Sequence, residues 1–162
     1  MRYERFKLKK DYSEDDIDGI LLFENKDFVQ ILLERDFQFE GYQVIAKRAI
    51  QKRIKQPKSN FYRKVLEKEG AYKKYSNPVR FSNLKSLIEK LMKTEKFIII
   101  ERRTGYFDLG PVIELNDKYL KLQSISTTGK NDTIDQIDLR RVFSVRWRNS
   151  YLKRFERYAN KL

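Results

Sequence analysis

The residues in this sequence best able to do chemistry are cations. Lys47, Arg48, Lys52, Arg53, Lys55 and Lys58 form one cluster, and Arg140, Arg141, Arg146, Arg148, Lys153 and Arg154 form a second. Guanidinium and ammonium groups gathered this closely suit the phosphates of a nucleic-acid backbone or of another polyanion. In the second cluster Trp147 and Tyr151 are interleaved with the arginines, a mixture in which aromatic faces stack on bases while cations hold the backbone. The candidate nucleic-acid-binding set is therefore Lys47, Arg48, Lys52, Arg53, Lys55, Arg140, Arg141, Arg146, Trp147, Arg148, Lys153 and Arg154. The alternation of Arg146, Trp147 and Arg148 along a strand fits equally an indole turned into the core between two solvated arginines. Lys153, Arg154 and Arg157 likewise fit the solvated face of a terminal helix.

Other chemistries are poorly provided for. The 162 residues contain no histidine and no cysteine, so disulfides, thiolate or imidazole metal ligands and the usual neutral-pH base are all missing. Asp108 and Glu114 flank Gly110, yet their spacing matches neither a nuclease nor a phosphate-binding loop. The expectation is a non-enzymatic protein with no cofactor and no metal. A net charge of +13 and a pI near 9.8 favour RNA or a similar polyanion as partner. The longest apolar runs, Ile20-Leu21-Leu22-Phe23 and Phe97-Ile98-Ile99-Ile100, fall far short of the roughly 20 residues needed to span a bilayer. The first residues, Met1 to Phe6, are charged and lack the apolar stretch of a secretory signal. A cytoplasmic protein with no membrane partner is expected.

The elements that must position these cations are written twice. Gly19 and Gly110 lie 91 residues apart, and at that offset Asn25 falls on Asn116 and Phe28 on Tyr119. Carried backwards, the same offset sets Phe6 on Phe97 and Leu8 on Ile99. With one residue of slip, Ile45 pairs with Ile137, Arg48 with Arg140 and Ile50 with Val142. Further on, Phe61 to Val65 fall on Tyr151 to Phe155. Such a pattern is the signature of an internal duplication. In the second copy, periodicity predicts strands over 97–103, 112–115, 119–126, 134–139 and 142–147, with Asn116-Asp117-Lys118 as a hairpin turn. Asn149-Ser150 opens a short helix through Tyr151, Phe155, Tyr158 and Ala159, and Ser59-Asn60 does the same after the first copy. Between the copies, Ser82 or Asn83 caps a helix whose apolar stripe is Leu84, Leu87, Ile88, Leu91 and Met92.

A helix followed by five short strands, with a glycine opening the second strand and a hairpin bearing Asn or Asp, resembles the Sm-like barrel, and in particular uncharacterised bacterial Sm-like proteins with an added C-terminal helix. The resemblance implies a mainly β chain with short helices. It would contain two SH3-like, strongly bent, five-stranded barrels in tandem, each with a trailing helix, and a leading helix before the second. The implied domains are 1–70, a linker 71–81, and 82–162. Gly110, Val112 and Leu115 fit the family's first motif, as do Gly19 and Leu21. The position of its RNA-facing asparagine is occupied by Leu120 and Val29. Its second motif falls on Ile137-Asp138-Leu139 and Ile45-Ala46-Lys47, neither carrying Arg-Gly, so the fold is expected without the usual uridine pocket. Binding of RNA through basic patches is the first functional expectation. A structural or oligomerisation module, self-associating through barrel edge strands, is the alternative.

Overall fold

A computed structural model describes residues 2–35, 38–55, 64–65, 68, 77–102, 106–126 and 128–159. In the first half β1 (Arg2–Leu8), β2 (Ile17–Glu24), β3 (Phe28–Arg35), β4 (Gln38–Ala46), a 3-10 turn (Lys47–Ala49) and β5 (Ile50–Lys55) follow one another. Helix α1 (Leu84–Thr94) comes before β6 (Ile98–Arg102), β7 (Phe107–Gly110), β8 (Val112–Leu115), β9 (Tyr119–Ile125) and β10 (Asn131–Asp138). A second 3-10 turn (Leu139–Arg141), β11 (Val142–Trp147) and α2 (Ser150–Tyr158) complete the chain. Among the described residues no helix is long and apolar enough to cross a membrane.

The chain is mainly β, as its patterning predicts, but its strands are not closed into two barrels. They form an eight-stranded sheet in the order β5-β1-β2-β3-β4-β11-β6-β7 and a three-stranded sheet β10-β9-β8. The larger sheet runs through both halves because β4 pairs antiparallel with β11, from Tyr42 opposite Trp147 to Ile45 opposite Ser144. β7 was not foreseen: a single strand was expected after the turn at Gly110, whereas Pro111 divides two segments that enter different sheets.

The pairing scheme of the first five strands recurs in the rest. Leu21–Ile31 and Phe23–Gln30 flank an irregularity between β2 and β3, as Val112–Leu122 and Glu114–Lys121 do between β8 and β9. Phe28 faces Ala46 as Tyr119 faces Asp138. Leu8–Ile50 and Lys7–Lys52 straddle a bulge, as do Arg102–Val142 and Glu101–Ser144. By this register Phe6, opposite Arg53, corresponds to Ile100, opposite Val145, and not to Phe97. The run from Phe97 to Ile100 is apolar throughout, so hydropathy alone leaves its register open and backbone hydrogen bonding fixes it.

Local sequence explains the turns. Asn25 Oδ1 accepts from the amides of Asp27 and Phe28, and Asn116 Oδ1 accepts from those of Lys118 and Tyr119, at 2.8–3.0 Å. The two glycines allow equivalent close approaches. A Cβ on Gly19 would sit 2.7 Å from the Leu32 carbonyl oxygen, and one on Gly110 only 1.9 Å from that of Gln123.

Asn83 caps α1 in a reciprocal pair with Ser86, and Leu84, Leu87, Ile88 and Leu91 are buried. Met92, expected in that stripe, is 42% exposed. The segment leading into α1 and the helix's first turn bridge both halves: Phe81 packs on Phe23 and Phe28, its carbonyl accepts from Asn25 Nδ2, and Lys85 reaches Asp117 at 2.6 Å. The expected trailing helix of the first half lies mostly outside the described residues, as do 71–76 of the expected linker; Lys64, Val65 and Lys68 are helical.

Inserting a methyl group at Gly110 must displace backbone, whereas one at Gly129 (φ 77°) would meet only Ala159 Cα at an ordinary 3.9 Å and would suffer only conformational strain. Gly110→Ala is expected to cost about 1–3 kcal/mol through overpacking and Gly129→Ala less, as measured by urea unfolding. The reverse ranking would contradict the packing at the Pro111 bend.

Candidate nucleic-acid interface

The two 3-10 turns lie side by side. The Arg48 guanidinium crosses between them, its Nη2 donating to the carbonyl oxygens of Arg140 (2.8 Å) and Val142 (2.5 Å). Lys47, Arg48, Arg140 and Arg141 thus share one surface. Much of its charge is compensated internally. Lys47 Nζ is 2.7 Å from Glu24, and Arg140 forks onto Asp138 at 2.6 Å. On β5, Arg53 bonds Glu4 at 2.8 Å and Glu24 at 2.8 Å and lies over the Phe6 ring. The Arg53 hydrogen bond holds the Glu24 carboxyl at about 2, against an ordinary 4.5. The Arg140 hydrogen bond likewise holds Asp138 at about 2.

In β11 the predicted stacking residue is a core residue. Trp147 is 1% exposed and stacks on Tyr42, centroids 5.4 Å apart and planes 16° apart. The indole faces inward because strand alternation turns it opposite to Arg146. Arg146 is bound to Glu101 at 2.8 Å, and Arg148, with φ 55°, bonds Glu95 at 2.8 Å. Asp108 and Glu114 are engaged by Arg102 and Lys121, each at 2.7 Å. Val29 and Leu120, which the Sm-like resemblance would set at its RNA-facing position, are fully buried, as are Ile45 and Ile137.

Of the twelve candidates, Lys52, Lys55, Arg141, Lys153 and Arg154 are exposed and make no side-chain hydrogen bond or ion pair among the described residues, whereas exposed Arg48 is held by two carbonyls. Lys52 and Lys55 lie on the outer strand β5, and Lys153 and Arg154 lie on α2. Helix α2 is anchored by Asn149, which caps Leu152 N at 2.7 Å, and by buried Leu152 and Ala159. That inner stripe leaves Tyr151, Arg154, Phe155 and Tyr158 along a second stripe at helical spacing. Tyr151 (41% exposed) packs on Phe155 at 4.9 Å, and Phe107 (51% exposed) meets Tyr151 edge-on at 6.4 Å. Arg157 lies over the Tyr158 ring. Comparison with family models, curated proteins and solved structures finds no match. The site comprises an extended aromatic surface with Arg154 and Arg157 beside it, Lys153 on another face of the helix, and Glu156 as the acid within the helix. Phe107 was missed from sequence because it is 44 residues from Tyr151 and sits in the unforeseen strand β7.

The Glu24 pair gives a pH test. Its folded value lies below its unfolded one, so its stabilisation is complete above about pH 4.5 and is lost as pH falls toward about 2. Unfolding free energy should decline over that window. Arg53→Gln should remove most of the Glu24 share and cost roughly 1–3 kcal/mol at neutral pH, because buried Glu4 also loses a donor. Urea titrations across pH check both; an acid limb unchanged in the variant would contradict the assignment.

Proposed function

We propose that the chain is a non-enzymatic RNA-binding protein, built from two Sm-like modules that arose by duplication, and that it holds single-stranded RNA against the outer stripe of α2. The recurrence of strand pairing, bulges included, supports reading each half as such a module. The observation that carries the functional reading is the run of touching rings Phe107–Tyr151–Phe155 beside Arg154 and Arg157, which have no carboxylate partner among the described residues. Exposed aromatic faces are costly in water without a partner, and every base offers a π-face to them. Arg154 and Arg157 supply the charge that follows the backbone. The paired cations of the 3-10 turns are weaker candidates, since a phosphate there must compete with Glu24 and Asp138. The buried Val29 and Leu120 leave no place for base recognition of the usual Sm-like kind, so binding without strong sequence preference is expected.

Fluorescence anisotropy with a labelled single-stranded RNA tests this. Affinity should fall by about one decade between 50 and 200 mM salt if two or three phosphates are engaged by the cations of α2. The double variant Phe107→Ala, Tyr151→Ala should bind about ten-fold more weakly or worse at constant salt slope. Arg154→Ser with Arg157→Ser should instead flatten the slope by roughly one unit per cation. No binding at low salt, or full affinity in the aromatic variant, would overturn the proposal.

A further inference from the structure

An open cavity of about 220 Å³ lies between the two halves, and none of the residues lining it belongs to α2. The first half contributes the end of β1 and the connection to β2, and the second contributes β6, β11 and the residue before β7. That β1–β2 connection is folded on itself. The Lys9 carbonyl accepts from the amides of Tyr12 (2.9 Å) and Ser13 (3.4 Å), and Ser13 Oγ accepts from the Asp15 amide at 3.1 Å. Exposed Glu14 is thereby held at the cavity's rim. Opposite it, Tyr106 is fixed by its carbonyl, which accepts from the Arg102 amide at 3.1 Å.

The walls are aromatic and acidic. Tyr12 and Phe143 meet edge-on with centroids 5.1 Å apart, and Tyr106, 71% exposed, adds a third ring. Among the described residues the charged groups of the lining are Glu14 and Glu101, both acids, in a chain whose 36 lysines and arginines outnumber its 23 acids. The two carboxylates differ. Glu101 accepts from Arg146 at 2.8 Å and from Gln43 at 3.2 Å, so its charge is already answered. Glu14 makes no ion pair among the described residues, because the cations of β1 turn to other acids: Arg5 to Asp18, and Lys7 to Asp16. A carboxylate without a counter-ion beside aromatic rings is matched by an organic cation, which ring faces attract and the carboxylate neutralises. A phosphate would be repelled.

We propose that this cavity binds a small primary alkylammonium ion, its charge held between Glu14 and the rings of Tyr12 and Tyr106 and its methylenes laid on Leu8, Ile17 and Phe143. Size agrees with the choice: at about 30 Å³ per water in the liquid, the space equals that of roughly seven waters, enough for a chain of about four carbons. The ammonium keeps hydrogen-bond donors for the carboxylate, and the apolar wall takes the stem. This site goes beyond RNA binding and does not depend on it.

The probes are butylammonium and, as its uncharged counterpart of the same length, butanol, each titrated into isotope-labelled, RNA-free protein at constant ionic strength and followed by amide NMR. Resonances of Ser13, Glu14 and Tyr106 should shift saturably with butylammonium. Butanol should bind about ten-fold more weakly, having neither the cation for the rings nor the charge for Glu14. Glu14→Gln and Tyr106→Ala should each weaken butylammonium binding by about two- to five-fold. Both side chains are exposed, so the rest of the amide spectrum should be retained and reports folding in the same experiment. No saturable shift at these residues, equal binding of the two probes, or unchanged affinity in both variants would each overturn the proposal. RNA binding through α2 is measured separately and stands or falls without it.

Discussion

Backbone pairing between β4 and β11 joins the two half-chains into one sheet. It consumes an edge from each half that would otherwise present open N–H and C=O groups. Gly41 makes the contact possible: its φ is 85°, and a Cβ there would meet the Trp147 carbonyl oxygen at 2.6 Å. Side chains then seal the seam on both faces. On one face Tyr42 stacks on Trp147. On the other, Gln43 donates to Ser144 (2.7 Å) and Glu101 (3.2 Å), and Arg146 closes on Glu101. Each buried polar atom of this group that finds a partner avoids the cost of desolvation without one.

The seam also decides what is left over for function. Arg146 and Trp147 are spent on holding the halves together, and Arg48 on tying the two 3-10 turns. Arg53 neutralises Glu4 and Glu24 inside the first half. A strongly basic composition therefore does not translate into a uniformly basic surface. Of the candidate cations, those left unspent lie on the outer strand β5, on α2 and, as Arg141, in the second 3-10 turn. On α2 Arg154 lies beside aromatic rings, which is the combination suited to single strands.

The C-terminal helix shows how a small shift in helical phase changes a site. Tyr151, Phe155 and Tyr158 recur at a spacing that would suit a buried stripe. The stripe that is buried is Leu152 and Ala159 with Phe155 partly covered, so Tyr151 and Tyr158 turn outward. Arg154 joins them on that outer face. Phe107 from β7 extends the aromatic surface beyond the helix.

Features governed by near neighbours were legible in the chain. The Asn25 and Asn116 turns, the Asn83 and Asn149 caps, the β-rich class and the buried stripe of α1 depend on contacts within a few residues, which local sequence specifies. The correspondence of Gly19 with Gly110 was legible because each glycine answers a close approach, to the carbonyls of Leu32 and Gln123, that only a missing side chain permits. Tertiary structure alone decided the register of β6, the division at Pro111, the joining of β4 to β11, and which cations meet an acid. Arg53 and Glu4 are 49 residues apart, and Arg48 reaches a carbonyl 92 residues away. In the sequence every lysine and arginine carries the same charge; only the folded chain, by bringing distant carboxylates and carbonyls within hydrogen-bond reach, determines which of them remain free to hold a ligand.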